Sequence, residues 1–269
     1  MAERVNATSF GNGLLVQRLN MHTFVTLRRK LGAFSTIPDR EFDALAERIG
    51  KPRVVESREE LNLDHSWPHK AFLINDGWAC TYKQLPSGAR QIVDVAVPGD
   101  ILGMRSLMLR NLDFAAAMIT TSVVYEISSR AMFELLDIAP RLAAGFLWSS
   151  AREEALLVER LVGVGRKTAL QRVVHFFLEL QDRLSLVGKC SDGSFSCPLN
   201  QSQIADALGL TSVHLNRIVR ELRQEGVVNL KDGCVEFLDL DKATEIAQYN
   251  AAYLDHVATA RRGQTKLAQ

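Results

Sequence analysis

The chain has 269 residues, 47% of them hydrophobic and 23% charged, a balance that excludes a disordered or fibrous protein and suits two modest domains. Its formal net charge is only +1, so it is no polycation, and any nucleic-acid binding must rest on a local patch. No apolar run reaches the roughly 18 residues of a membrane span. Residues 1–20 carry no apolar core ahead of a small-residue cleavage site, so a cytoplasmic protein without membrane contact is expected.

Residues 1–21 read as a tail. Over 22–50, Phe24, Leu27 and Leu31 recur at helical spacing, and Asp39 is placed to cap a second helix carrying Phe42, Leu45 and Ile49. Arg18, Arg28, Arg29 and Lys30 fall in a stretch with no acidic residue between Glu3 and Asp39. From 54 to 127 the texture changes to short runs of Val, Ile, Phe, Tyr and Thr. Turn signals at Asn75-Asp76-Gly77, Pro86-Ser87-Gly88 and Pro98-Gly99-Asp100 cut these runs, and such spacing predicts a compact antiparallel roll or barrel. The first domain is therefore 22–135.

A short helix is expected over 130–136, then a long one opened by Pro140, whose missing N–H belongs among donors that lack an intrahelical partner. Leu147, Leu157 and Leu161 follow a 4-3 pattern with Ala143, although Ser150 and Glu154 share the stripe. That pattern fits either a helix packed on its own barrel or a two-helix dimer contact. Gly163 and Gly165 are expected to interrupt the helix and mark a hinge, so 136–164 is one unit. A further amphipathic helix is predicted over 168–187, with Val173, Val174, Phe177, Leu180 and Leu184 on one face, before a polar loop with an Asp192-Gly193 turn.

The most informative stretch is 198–222. Asn200 is a good N-cap, and Gln203, three residues on, completes a capping box. Ile204, Ala205 and Leu208 give one apolar face, and Gly209 suits the left-handed residue that ends a helix. Thr211 caps a second helix buried through Val213 or Leu215, then Ile218, Val219 and Leu222. Two short helices around a tight glycine turn make a helix-turn-helix. Ser212, His214, Asn216, Arg217 and Arg220 remain outward beside Thr211, side chains suited to base edges and phosphates. A hairpin follows, 226–230 and 234–238 around Lys231-Asp232-Gly233, forming a wing with Lys231 at its tip for a phosphate. The winged helix-turn-helix thus covers 165–240, and 241–269 reads as a C-terminal helix and tail.

Several chemistries find no support in the residue pattern. There is no nucleophile–base pair, glycine-rich phosphate loop or metal-ligand spacing, so no enzyme, metal or cofactor is expected. Cys80, Cys190, Cys197 and Cys234 form no CxxC pair and read as reduced structural thiols, including Cys190 and Cys197 on either side of a turn. His22, His65, His69 and His175 read as surface or helix-face residues rather than haem ligands.

From about residue 30 to 240 the chain resembles the bacterial cyclic-AMP receptor protein and fumarate-nitrate regulator (Crp/Fnr) superfamily. The resemblance is carried by Gln203-Ile204-Ala205, Gly209-Leu210-Thr211, Asn216-Arg217-Ile218 and Glu225-Gly226-Val227-Val228, with Gly77-Trp78, Pro98-Gly99-Asp100 and Glu126-Ile127-Ser128 in the sensor. It implies an α+β protein: an antiparallel β-roll sensor, a long central dimerisation helix and a C-terminal winged helix-turn-helix. It also implies a homodimer on an inverted repeat of double-stranded DNA, with RNA polymerase as a partner. The dimer contacts would fall on Leu142, Phe146, Leu147, Leu157 and Leu161. Base-reading positions fall on Ser212, Val213, Asn216 and Arg217, and phosphate contacts on Gln201, Ser202, Thr211 and His214. Many members carry a glutamate where Val213 stands, so the DNA site should differ.

The sensor departs further. Where cyclic-AMP binders carry Gly-Glu-Leu and Arg-Ser, this chain has Gly103-Met104-Arg105-Ser106-Leu107 and, beyond it, Leu112-Asp113-Phe114-Ala115. Cyclic-nucleotide control is not expected. Residues 1–79 hold no cysteine for an iron–sulfur cluster. An unknown small effector would sit near Met104, Arg105, Leu112 and Leu157. The alternative is a ligand sensor that acts through protein partners, its helix-turn-helix degenerate.

Overall fold

The computed structural model describes residues 24–61, 70–109 and 114–254. Arg18, His22, His65, His69, Arg110, Leu112 and Asp113, with most of the two tails, lie outside them. Two helices come first, α1 (Val25–Gly32) and α2 (Asp39–Arg48). Asp39 is the first residue of α2 rather than its cap, which is Pro38. Eight strands follow: β1 (Arg53–Val55), β2 (Glu60–Leu61), β3 (Lys70–Asp76), β4 (Ala79–Gln84), β5 (Arg90–Ala96), β6 (Ile101–Leu102), β7 (Ala115–Met118) and β8 (Ser122–Ser128). They form two antiparallel four-stranded sheets, ordered β1-β8-β3-β6 and β2-β7-β4-β5, which are the expected roll. Phe72 and Ile74 of β3 meet Ala79, Met118 and Val124 in a core between the sheets. The Asn75-Asp76-Gly77 turn is needed for a steric reason. Gly77 has φ +93°, and a Cβ there would lie 2.1 Å from Ser122 Oγ.

Helix α3 (Ser129–Ile138) is capped by Ser128, whose hydroxyl accepts from the Ala131 N–H. Pro140 then opens α4 (Pro140–Arg166), as its chemistry predicts. Gly163 and Gly165 do not interrupt this helix, contrary to expectation. Gly163 is buried, with the Arg172 side chain packed against it, and two glycines cost about 1 kcal/mol each, too little to break 27 residues of continuous helix. The chain turns instead at Lys167 and Thr168, both extended, and Thr168 caps α5 (Ala169–Leu186) in a capping box with Gln171.

Two faces of α4 have different fates. Leu142, Phe146, Ser149 and Leu156 are buried in the chain's own core. Leu142 and Phe146 are 0% and 1% exposed against α1, α2 and α3, so they are not free to meet a partner, and that expectation is corrected. At about 100° per residue Leu142 points roughly 140° from Leu147 and roughly 100° from Leu161, and Phe146 roughly 100° and roughly 60° from them, so the five residues assigned to one seam span two faces. Leu147, Val158 and Leu161 lie uncovered on the other face.

The C-terminal unit continues with β9 (Cys190–Ser191), β10 (Ser194–Ser196), α6 (Gln201–Leu208), α7 (Ser212–Gln224), β11 (Val228–Lys231), β12 (Cys234–Phe237) and α8 (Leu240–Ala247). The segment read as a polar loop is in fact a hairpin. Asp192 and Gly193 both have positive φ, the turn that matches strand twist, and β10 then pairs with β12 in the sheet β11-β12-β10-β9. Asp232 and Gly233 make the same turn at the tip of the wing.

Candidate DNA interface and sensor cavity

The helix-turn-helix is built by the caps its sequence announces. The Asn200 side chain accepts from the Gln203 N–H at 2.9 Å, and the Gln203 side chain accepts from the Asn200 N–H at 2.9 Å. Gly209 ends α6 at φ +64°, its N–H bonded to the Ala205 carbonyl. Thr211 Oγ1 accepts from the His214 N–H at 3.2 Å and starts α7. Leu215, Ile218 and Leu222 bury one side of α7, while Val213 is 81% exposed, which settles the choice between Val213 and Leu215.

The outward face of α7 therefore carries Val213, Arg217 and Arg220, with Ser212, His214 and Asn216 half-buried beside them. His214 Nε2 and Arg217 Nη2 lie 3.3 Å apart. Gln201 and Ser202 are exposed in the first turn of α6, where backbone N–H groups face outward. Lys231 is exposed at the wing tip, with the Asp232 carboxylate 3.9 Å from its ammonium. All ten residues assigned to DNA thus reach the surface of one unit, from two helices and the wing.

The sequence did not reveal how this unit is held to the roll. Arg90 of β5 donates twice to the Asp206 carboxylate, at 3.0 and 3.1 Å, and Gln91 donates to the Asp206 carbonyl at 2.7 Å. Deeper, Asp100 accepts from Lys30 Nζ at 2.8 Å and from Arg183 of α5 at 2.7 Å. Arg183 also meets Glu179 at 3.2 Å, and Glu179 accepts from Arg160 of α4 at 3.0 Å. Arg160 returns to the roll through Asp94 at 2.9 Å. The chain of ions crosses α1, the roll, α4 and α5. Burial opposes its charge, yet Lys30 and Arg183 hold the Asp100 carboxyl well below the usual carboxylate range. The available signals were a charge inside an apolar strand, Val93-Asp94-Val95, and the i,i+4 pair Glu179 and Arg183 within an apolar helix.

His175 joins this region. It is 7% exposed, stacked edge-on against Tyr249 and Tyr253, so it is no surface residue. Burial, with Lys167 alongside, lowers its pKa to about 4, and it stays neutral at pH 7. Cys80 and Cys197 are buried free thiols, Cys190 is half-buried and Cys234 exposed. Among the described residues no helix is long and apolar enough to cross a membrane, and no three His, Cys, Asp or Glu side chains could hold a metal ion.

Between the roll and α4 lies a cavity of about 310 Å³. Met104, Arg105 and Leu157, expected near an effector, line it together. Its acidic lining was not foreseen: Asp94, Glu153 and Glu154 face the same space. Burial, reinforced by Asp94 and Asp100 and opposed by Lys30 and Arg183, pushes the Glu153 carboxyl up to about 8. The Arg105 guanidinium lies over the Phe114 ring, 4.4 Å from its centre. A cyclic phosphate needs cations or converging N–H donors, and among the described residues three carboxyls face one arginine, a lining that does not fit it.

A β-roll joined by a long helix to an exposed recognition helix defines a winged-helix DNA-binding protein with a sensor-type domain. Residues 53–138 match the family model for the cyclic nucleotide-binding domain, and residues 171–243 match the Crp-like helix-turn-helix domain. The chain is 29% identical over 210 residues to the nitrogen fixation regulation protein FixK of Bradyrhizobium diazoefficiens, covering 77% of this chain and 85% of that one. It is 28% identical to the transcriptional activatory protein AadR of Rhodopseudomonas palustris, over 74% of this chain and 80% of that one. The solved structure of FixK2 from Bradyrhizobium japonicum shares the fold with a TM-score of 0.67 at 22% identity, over 76% of this chain and 99% of that one. The chain belongs to the Crp/Fnr superfamily of DNA-binding transcription regulators.

Proposed function

We propose that the protein works as a homodimer that sets one α7 into each of two successive major grooves of an inverted-repeat operator, with recognition helices about 34 Å apart. The observation that carries this reading is the outward face of α7, where an uncovered Val213 stands among Ser212, Asn216 and Arg217. A valine 81% exposed on a capped, well-packed helix is best explained by contact with a thymine methyl. Arg217 suits two parallel bonds to guanine and Asn216 the same to adenine. Gln201, Ser202, Thr211, His214, Arg220 and Lys231 suit the flanking phosphates.

The uncovered stripe Leu147, Val158 and Leu161 on α4, with Leu157 at its edge, suits the second copy. Glu154 in the same stripe explains why the seam is imperfect. Orientation of the DNA-binding unit is governed by Lys167 and Thr168 and by the Asp100–Arg183 and Arg90–Asp206 bonds, not by Gly163 and Gly165. An effector in the cavity would act on that orientation. Cyclic AMP does not suit the lining. The protein would act in the cytoplasm through RNA polymerase and has no enzymatic role.

A gel shift with genomic fragments at moderate salt tests the reading. Discrete complexes that survive competitor DNA are expected, and their loss in Arg217→Ala follows. A protein that ignores every fragment would contradict it.

A further inference from the structure

The cavity between the roll and α4 has a charge pattern that says which ligand it takes. Its floor and walls include Ile101, Leu102, Met104 and Phe114, an apolar lining for an apolar body. Among the described residues its ionisable lining is Asp94, Glu153 and Glu154 against Arg105. Asp94 already has a partner, Arg160, at 2.9 Å. Glu153 does not: among the described residues no ion pair or hydrogen bond satisfies its carboxyl, although the residue is half-buried and lines the cavity. An acid partly withdrawn from water without a protein partner has hydrogen-bonding capacity that a donor in the cavity would fill. Arg105 does not relieve it, since its guanidinium is stacked over Phe114.

We propose that this cavity binds a small organic cation, a primary amine or guanidine on an apolar body, whose charged head donates to Glu153 while its body lies against Met104 and Phe114. The inference rests on reading the chain as a regulator with an effector cavity, and it names the class of ligand. A metal ion would answer the same charge, but no three acidic, histidine or cysteine side chains among the described residues converge closely enough to hold one. A volume of about 310 Å³ sits at the lower end of the range for small-molecule sites, large enough for an arylalkylamine.

The probes are phenethylamine, agmatine and cyclic AMP, titrated into the full-length protein by calorimetry. At least one amine binds and cyclic AMP does not. Glu153→Gln, which keeps the shape but cannot ionise against the ammonium, weakens that amine by about tenfold or more. It does so while melting at or above the wild-type temperature. Arg105→Gln, at an exposed position, removes the opposing charge and strengthens the amine. The proposal is overturned if neither amine binds, if Glu153→Gln binds the amine as well as wild type, or if cyclic AMP binds more tightly than both amines. Calorimetry needs no DNA, so a protein that binds an amine but no duplex would sink the regulator reading and leave this assignment standing.

Discussion

Arg183, on the first helix of the DNA-binding unit, donates to the Asp100 carboxylate of the roll at 2.7 Å, and both side chains are buried. Such a bond ties the two halves of the molecule at their centre rather than at a rim. Removing one partner strands the other charge without water, which typically costs about 3–5 kcal/mol. Arg183→Met should therefore lower the unfolding free energy in urea by that amount. Asp100→Asn should do at least as much damage, because it takes the counter-charge from both the buried Lys30 ammonium and Arg183.

The same bond fixes the acid limb of stability. Asp100 has a folded pKa below its unfolded value, so its contribution is fully present above about pH 4 and is lost as pH falls below that. Glu153 works in the opposite direction. Its folded pKa of about 8 lies above the unfolded value of about 4.3, so the folded state holds the proton more tightly and stability declines as pH rises between them. Glu153→Gln lacks this loss. The melting temperature of the variant should match wild type below about pH 4 and exceed it increasingly towards pH 8. A difference that stays constant with pH would remove Glu153 from this role.

The α4 stripe predicts a clean separation of folding from assembly. Leu161 is 73% exposed, so Leu161→Glu should leave the monomer folded. Sedimentation should show a dimer become a monomer, and operator affinity should fall roughly 100-fold or more as two linked half-site contacts become one.

Asn200→Ala removes one half of the α6 capping box and should cost about 1 kcal/mol of stability, read by thermal melting. The position lies outside the base-reading face of α7, so sequence preference should be unchanged. Lys231→Ala should weaken DNA binding alike for all sequences and lower the salt slope by about 0.9. The nearby Asp232 carboxylate makes that loss the smaller of the two wing and helix effects.

The helix-turn-helix was legible in the sequence because every step of it is local. Asn200 and Gln203, Gly209, and Thr211 each act on backbone within a few residues, and all three caps form as read. The roll was legible from its turns for the same reason. What the sequence hid is long-range. Lys30 and Asp100 are 70 positions apart, and Asp100 and Arg183 are 83 apart, so no spacing rule connects them. Leu142 and Phe146 were misplaced because helical periodicity gives faces but not which face meets which neighbour. Gly163 and Gly165 misled because a glycine's intrinsic cost is small beside the continuity of a long helix. The β9–β10 hairpin had a signal, Asp192-Gly193, but its strands are two and three residues long and carry little pattern of their own.

The central claim is tested most directly by selecting bound duplexes from a randomised pool and comparing wild type with Arg217→Ala by fluorescence anisotropy. Wild type should enrich an inverted repeat with half-site centres about one helical turn apart, and Arg217→Ala should lose about 1–3 kcal/mol at one base pair of each half-site. Enrichment of no sequence, or an Arg217→Ala protein that prefers the same site with undiminished affinity, would contradict it.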